Sequence, residues 1–346
     1  MPLIAHNNLP TFEKLMKEGG TVLTKDRADS QDIREMHIGL LNMMPDAALE
    51  ATERQFFRLI GESNKIAQFY VHPFSLPELA RSDETCAYID QYYEPFEKLQ
   101  NDGLDALIIT GANVADPDLE NNEFWEPLQK VMEWSWNNVT STITACLASH
   151  AVMQFKYGQK RTSFDKKHVG VFKSRVRQRS HPLVQGMNTV FDVPHSRYNN
   201  ISWEQFEEAG MRILVNSFEG GVHMATSKDG FRLVCMQGHQ EYDTVSILKE
   251  YRRDLGLFLD GKMKQPDIPL HYFSSEALEL IEKYLKDPSG EFPEKEIAPL
   301  IENTWKDSAR AIIGNWIGQV YQTTHVDRSK HFMDGIDPNN PLGISL

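Results

Sequence analysis

Three side chains have the types and the spacing to do chemistry together: Cys146, His239 and Glu241. Cys146 follows the strand-like run Thr140-Ser141-Thr142-Ile143-Thr144-Ala145 and precedes Leu147 to Gly158, which shows helical periodicity and a glycine stop. A cysteine at a strand-to-helix junction is pushed out at the carboxyl edge of a sheet, where open α/β folds bind ligands. The first N–H groups of the helix also favour a thiolate there. Taken alone, Cys146 reads more simply as a core cysteine, because free cysteine is among the most buried residue types. The second half of the chain changes that reading. Cys235-Met236-Gln237-Gly238 closes a strand on glycine, and His239 and Glu241 follow, two residues apart. In extended backbone such residues share a face, so the carboxylate can fix the imidazole tautomer while the other ring nitrogen reaches the thiol. Gly-His-x-Glu by itself is an ordinary strand end. Placed about ninety positions after a strand-Cys-helix elbow, it predicts a cysteine nucleophile, its base and the base's orienter.

The elements that must position these groups are legible as alternating strand and helix. His37 to Asn42 is a short apolar run ended by Met43-Met44-Pro45, which suits a first buried strand; Leu49 to Ile60 has helical spacing and stops at Gly61. Ala67 to Pro73 reads as a second strand, Tyr88 to Leu99 as a helix, and Ala106 to Ala112 as a buried parallel strand closing on Gly111-Ala112. Trp125 to Trp136 is an amphipathic helix ahead of the strand that leads into Cys146. Such alternation predicts an α/β fold, a parallel sheet wound by crossovers and flanked by helices. From about 160 to 240 the pattern changes to short strands with turns, including Met211 to Ser217 and Phe231 to Met236. Beyond 245 it is mostly helical, with a charged, proline-containing loop at Asp287 to Pro299. The expected organisation is an N-terminal arm (1–35), a catalytic domain (36–260) and a helical extension (261–346) packed on it.

Composition narrows the function classes. Over 346 residues the chain is 40% hydrophobic, 25% charged and 10% aromatic, values of an ordinary globular protein with ample core. A formal charge of −13 argues against nucleic acid as a partner, since phosphate neutralisation needs clustered Lys and Arg. In the one basic stretch, Lys166 to Arg179, the alternation of Lys173, Arg175, Arg177 and Arg179 reads as the wet face of a strand. Contact with an anionic substrate is the alternative. Three cysteines without a CxxC pair predict neither disulfides nor a zinc site, and no metal is expected. With no basic-then-apolar leader and no run of about 18 apolar residues, a reducing cytoplasmic location is expected and no membrane partner.

The elbow and the later His-x-Glu resemble class I glutamine amidotransferases. Over nearly its full length the chain resembles the homoserine O-succinyltransferase / O-acetyltransferase family of methionine biosynthesis. The resemblance is carried by Leu41-Asn42-Met43-Met44-Pro45, Leu107 to Ala112, Glu133-Trp134-Ser135, Val193-Pro194-His195-Ser196-Arg197-Tyr198, Gly238 to Asp243 and Asn315-Trp316. It implies a glutamine amidotransferase-like (flavodoxin-like) core and a ping-pong transfer: Cys146 takes an acyl group from an acyl-CoA and a substrate hydroxyl receives it. His239 would be the base and Glu241 its orienter. An oxyanion hole is placed at the N–H of Leu147 with an N–H of the loop beginning Gly111-Ala112. The family's carboxylate-binding Arg, fourteen residues after the His, falls on Arg253, with Glu250 for the ammonium group; Ser196 and Arg197 belong to the same candidate substrate site. The residue four after Gly111, which goes with acetyl transfer when Glu and succinyl transfer when Gly, is Ala115, so succinyl-CoA is expected over acetyl-CoA. Acyl-CoA is a cosubstrate and no cofactor is bound permanently; a homodimer acting on small molecules is expected.

Two departures bear on the substrate. Where family members commonly carry Lys, this chain has Asp46-Ala47-Ala48, and Leu147 stands where Trp often follows the nucleophile. Homoserine is the expected acceptor, with another hydroxy amino acid such as serine as the alternative. A glutamine amidotransferase subunit would share the triad, and a catalytically silent binding protein would share the fold.

Overall fold

A computed structural model describes residues 2–63, 66–114, 116–328, 330 and 335–343. Eleven strands among the described residues form one sheet: β1 (Leu3–Ala5), β2 (Val22–Thr24), β3 (Glu35–Leu41), β4 (Gln68–Phe74), β5 (Ala106–Ile109), β6 (Ser141–Ala145), β7 (Thr162–Val176), β8 (Val190–Asn200), β9 (Arg212–Ser217), β10 (Gly221–Thr226) and β11 (Leu233–Met236). Their spatial order is β2-β1-β4-β3-β5-β6-β11-β10-β9-β7-β8. Every pairing from β2 through β11 is parallel; from β11 to β8 every pairing is antiparallel. Every residue of β4, β5 and β6 is buried, as central parallel strands covered on both faces require. This is the expected parallel sheet wound by crossovers and flanked by helices; residues 160–240 continue the same sheet in antiparallel form, and β7 and β8, of 15 and 11 residues, are longer than the short strands expected there.

Helices cover both faces. On one, Asp46–Ser63 and Lys306–Thr323 pack with Met36, Ile38 and Phe69; on the other, Trp125–Asn138 and Leu147–Tyr157 pack with Leu107 and Ile109. Ile312, Ile313 and Ile317, all buried, each contribute roughly 1.5–3 kcal/mol through apolar burial. A third core joins Ser246–Leu259 and Ser275–Lys286 to Val169 and Val171 of β7.

Several expectations need correction. The first long helix starts at Asp46 and runs through Gly61 to Ser63. Glycine there is an approach site, since an added Cβ would lie 3.1 Å from Leu3 Cγ. The helix expected over 88–99 is two, Asp83–Tyr92 and Phe96–Asp102. Pro95 cannot continue a helix, Tyr93 is extended, and the Glu94 N–H donates instead to the Pro73 carbonyl at 2.9 Å. The N-terminal segment is not merely a polar arm, because β1 and β2 lengthen the sheet at its parallel edge. The proline-containing loop near 287–299 holds a short helix, Glu294–Ile297. Lys173, Arg175, Arg177 and Arg179 are exposed, as a wet strand face predicts, but Lys167 of the same stretch turns inward.

Candidate active site

Parallel pairing of β6 with β11 sets Ala145 opposite Met236, so the residues following the two strands emerge at the same sheet edge. The Cys146 N–H donates to the Met236 carbonyl at 2.7 Å. Ser149 tightens the junction: its hydroxyl donates to Thr144 O at 2.7 Å and accepts from the Met236 N–H at 3.0 Å. Cys146 has φ 49° and ψ −113°, a conformation that costs of order 1–3 kcal/mol for a residue with a side chain and holds the thiol out of the helix it starts. It is partly exposed. Gly111 lets the neighbouring loop pass against the elbow: a Cβ there would stand 3.2 Å from Cys146 Cβ and 3.8 Å from the Leu147 nitrogen. Gly111, which Ala112 follows in the chain, thus flanks the start of the helix where Leu147 is buried. Arg161, unforeseen from sequence, braces the continuation of this loop by donating to Val114 O (3.1 Å), Pro117 O (3.3 Å) and Asp116 O. Ala115 lies outside the described residues.

His239 is buried, and its Nδ1 is 2.7 Å from Glu241 Oε1, so carboxylate does stand beside imidazole, though through a turn at Gln240-Glu241, with the Tyr242 N–H donating to the His239 carbonyl at 3.4 Å, and not through the extended backbone expected. The His239 N–H donates to Pro194 O at 2.7 Å, and the ring stacks on Tyr242 with centroids 4.3 Å apart. Nε2 is buried without a hydrogen bond of ordinary geometry among the described residues. Its electrostatic partner is Cys146. Burial works against a charged imidazole, but Glu241 and Cys146 outweigh it and hold the His239 pKa well above the ordinary value. The turn before it needs Gly238, where a Cβ would fall 2.4 Å from Val193 Cγ1 and 2.9 Å from Pro194 O.

A second polar cluster stands on the Tyr242 side. Glu250 accepts from Tyr242 Oη at 2.6 Å, Ser196 Oγ at 2.5 Å and Lys167 Nζ at 3.1 Å. Lys167 also donates to Asp254 at 3.0 Å. Burial alone would raise the Glu250 carboxyl, yet Lys167 and the two hydroxyls hold it below its usual range. Glu250 and Ser196 therefore come together, with Lys167 and Tyr242 as members the sequence reading did not assign. Arg253 is half exposed and donates through Nε and one terminal nitrogen to Asp254 Oδ1, at 2.9 and 2.7 Å. Arg197 is elsewhere: its buried guanidinium donates to Asn199 O, Asn200 Oδ1 and Gly220 O at 2.9, 2.6 and 2.8 Å. Burial lowers its pKa to about 10, with Cys146 acting in the opposite sense. A carboxylate reaching Arg197 would have to displace backbone partners.

A family model described as homoserine O-succinyltransferase matches residues 2–326. The chain belongs to that family. Homoserine O-succinyltransferases of Thiobacillus denitrificans and Thioalkalivibrio nitratireducens are 57% and 56% identical to it, each over 100% of this chain and 100% of the relative. Among solved structures, a glutamine amidotransferase of Thermotoga maritima aligns with TM-score 0.44 at 10% identity, over 84% of this chain and 98% of that one. Within the homoserine O-succinyltransferase family, full-length coverage means that the antiparallel strands and most of the helical extension are part of what is shared, not only the elbow. No helix among the described residues is long and apolar enough to cross a membrane.

Proposed function

We propose that this chain transfers the succinyl group of succinyl-CoA to the hydroxyl of L-homoserine, a step of methionine biosynthesis, through an acyl-enzyme on Cys146. The observation that carries the reading is the full-length family match, and a thiol held at a strained elbow beside a buried, carboxylate-backed imidazole is the chemistry such a transfer needs. In the first half-reaction the Cys146 thiolate attacks the thioester carbonyl. The C–S bond to CoA breaks, and the departing CoA thiolate takes the proton stored on His239. The imidazole, now neutral, removes the proton of the homoserine hydroxyl as its oxygen attacks the acyl-enzyme carbonyl. The Cys146–acyl bond breaks, and thiolate and imidazolium are restored. Leu147 N–H and an N–H of the Gly111-Ala112 loop suit the role of oxyanion donors, because both flank the elbow.

Arg253, whose partner Asp254 is shared with Lys167, would receive the homoserine carboxylate, and Glu250 its ammonium group, in competition with Lys167. Ala115, neither bulky nor acidic, goes with a succinyl donor by the family resemblance. Every group used lies within the catalytic segment 36–260, flanked by 1–35 and 261–346. The reading has the enzyme working as a cytoplasmic homodimer on small molecules, with no permanently bound cofactor taking part in the reaction.

The test is intact-mass spectrometry after mixing with equimolar succinyl-CoA and acetyl-CoA. The expected result is a succinyl adduct that Cys146→Ala lacks and that homoserine discharges. A preferred acetyl adduct overturns the donor, discharge by serine but not homoserine overturns the acceptor, and glutamine hydrolysis without any adduct overturns the reading itself.

A further inference from the structure

We infer that His6, His72 and Glu94, remote from Cys146 and unused by its chemistry, form a binding site for one divalent zinc-class metal ion that clips the N-terminal segment to the sheet. The three donors come from the turn after β1, from β4 and from the break between two helices, and are brought together by the β1-β4 pairing and the Glu94–Pro73 hydrogen bond. One donor atom from each lies within 4.8 Å of the others. The site is sheltered, with side-chain exposures of 12%, 10% and 16% for His6, His72 and Glu94.

The hydrogen-bond partners fix the His6 tautomer and limit those open to His72 and His37. His6 Nδ1 is 3.1 Å from the Ile4 carbonyl, which only accepts, so the ring proton is on Nδ1. Its Nε2 then presents a lone pair, 3.8 Å from Glu94 Oε1, and its other neighbour, Asn7 Nδ2 at 3.5 Å, is itself a donor. His72 Nδ1 faces Glu94 Oε1 at 2.5 Å, His72 Nε2 faces His37 Nδ1 at 3.0 Å, and His37 Nε2 faces Glu35 Oε2 at 3.2 Å. That chain has a carboxylate at each end and two rings between, hence three contacts to fill. Two neutral imidazoles supply two protons. If His72 donates to His37 and His37 to Glu35, the contact of His72 Nδ1 with Glu94 is lone pair against carboxylate and requires a cation between them.

A metal ion meets that requirement and also uses the His6 lone pair. Zinc binds imidazole nitrogen and carboxylate oxygen at about 2.0–2.2 Å, so tetrahedral donors stand about 3.4 Å apart. The His72–Glu94 gap must open by roughly 1 Å, the His6–Glu94 gap close slightly and the His6–His72 gap, up to 4.8 Å, close by as much as about 1.4 Å, within the reach of side-chain rotation. In that tautomer the surroundings match those of a metal-bound histidine: the second nitrogen of each ring donates to an acceptor, Ile4 O for His6 and His37 Nδ1 for His72. Glu94 Oε2 is separately held by Lys98 Nζ at 2.7 Å, which leaves Oε1 to the ion.

The rival occupant of the third contact is a proton, which would make one ring an imidazolium, and the test separates the two. The Cys146→Ser chain removes the thiol beside His239 as a competing soft ligand. Stripped with chelator, it is titrated with ZnCl2 calorimetrically and with CoCl2 spectroscopically. One zinc per chain is expected, with visible cobalt absorption of a low-coordinate ion and a melting temperature raised by at least about 2 °C at hundredfold excess over Kd. His6→Gln and Glu94→Gln should each weaken binding at least about tenfold and cancel the melting shift, with unshifted melting of the metal-free variants reporting that they fold. Absence of stoichiometric zinc binding, binding equally tight in His6→Gln, or a His72 ring that nitrogen NMR shows doubly protonated under excess zinc overturns the proposal.

Discussion

Glu241→Gln isolates what the buried carboxylate does for His239. The pair is 2.7 Å apart with side chains 6% and 7% exposed, so the interaction is poorly screened by solvent. A charge-assisted hydrogen bond of this kind contributes about 1.5–3 kcal/mol, and one pKa unit corresponds to about 1.4 kcal/mol. Removing the charge should therefore lower the His239 pKa by roughly one to two units, since burial, which lowers it, then meets only Cys146 in opposition. The glutamine can also turn its amide N–H toward Nδ1 and stabilise the tautomer whose Nε2 already carries a proton and cannot take that of the Cys146 thiol. Both effects act on the same step, and acylation by succinyl-CoA should slow by about 10²–10⁴. Stability follows with a definite sign. A raised folded pKa contributes stability that is full below the unfolded histidine value of about 6.5 and fades as pH rises through the folded value. The variant should accordingly be most destabilised below about pH 6.5 and approach wild type in alkali. The measurements are the His239 titration by NMR and stopped-flow release of CoA in a single turnover. An unmoved His239 titration together with an acylation rate within about twofold of wild type would reduce Glu241 to a packing role.

Gly238→Ala should cost about 1–3 kcal/mol in urea unfolding and suppress acylation, because the new methyl group meets Val193 and the Pro194 backbone directly before His239; normal activity would show that β8 can yield. Arg253→Ala should raise the homoserine KM roughly ten- to hundredfold while leaving that of succinyl-CoA nearly unchanged. Steady-state kinetics with an unchanged homoserine KM would move the carboxylate site to Lys167, since the Arg197 donors are already engaged. Acid should destabilise the fold through His150 and His223, fully buried and held neutral by burial with pKa near 3. Their contribution is intact above about pH 6.5 and declines as pH falls toward 3, by about 1.4 kcal/mol per pH unit for each, so denaturant unfolding with a flat profile between pH 6 and 4 would refute the assignment.

The amino-acid sequence alone determined the strand-and-helix alternation around Cys146 and the pairing of His239 with Glu241, because both are local. Period-two and helical patterns report burial within a few residues, and two residues a spacing of two apart can meet without knowledge of what lies across the sheet, although a turn and not extended backbone joins His239 to Glu241. Proximity of Cys146 to His239 is one step less local; it depended on β6 and β11 becoming parallel neighbours, which alternation makes natural but does not dictate. Tertiary structure alone decided the rest. Pro95 broke a helix whose apolar spacing ran on through it, and Gly61 did not stop one, because its missing side chain serves contact with β1. Lys167 left the alternating basic run to meet Glu250 and Asp254, while Arg197, adjacent to Ser196, was drawn to the carbonyls of Asn199 in its own strand and of Gly220 between β9 and β10. His6, His72 and Glu94 share no periodicity and no motif. They meet because the edge order β1-β4-β3 and one kinked connection converge on them, and long-range pairing of that kind is written in the summed burial of the whole sheet rather than in the spacing of the residues it brings together.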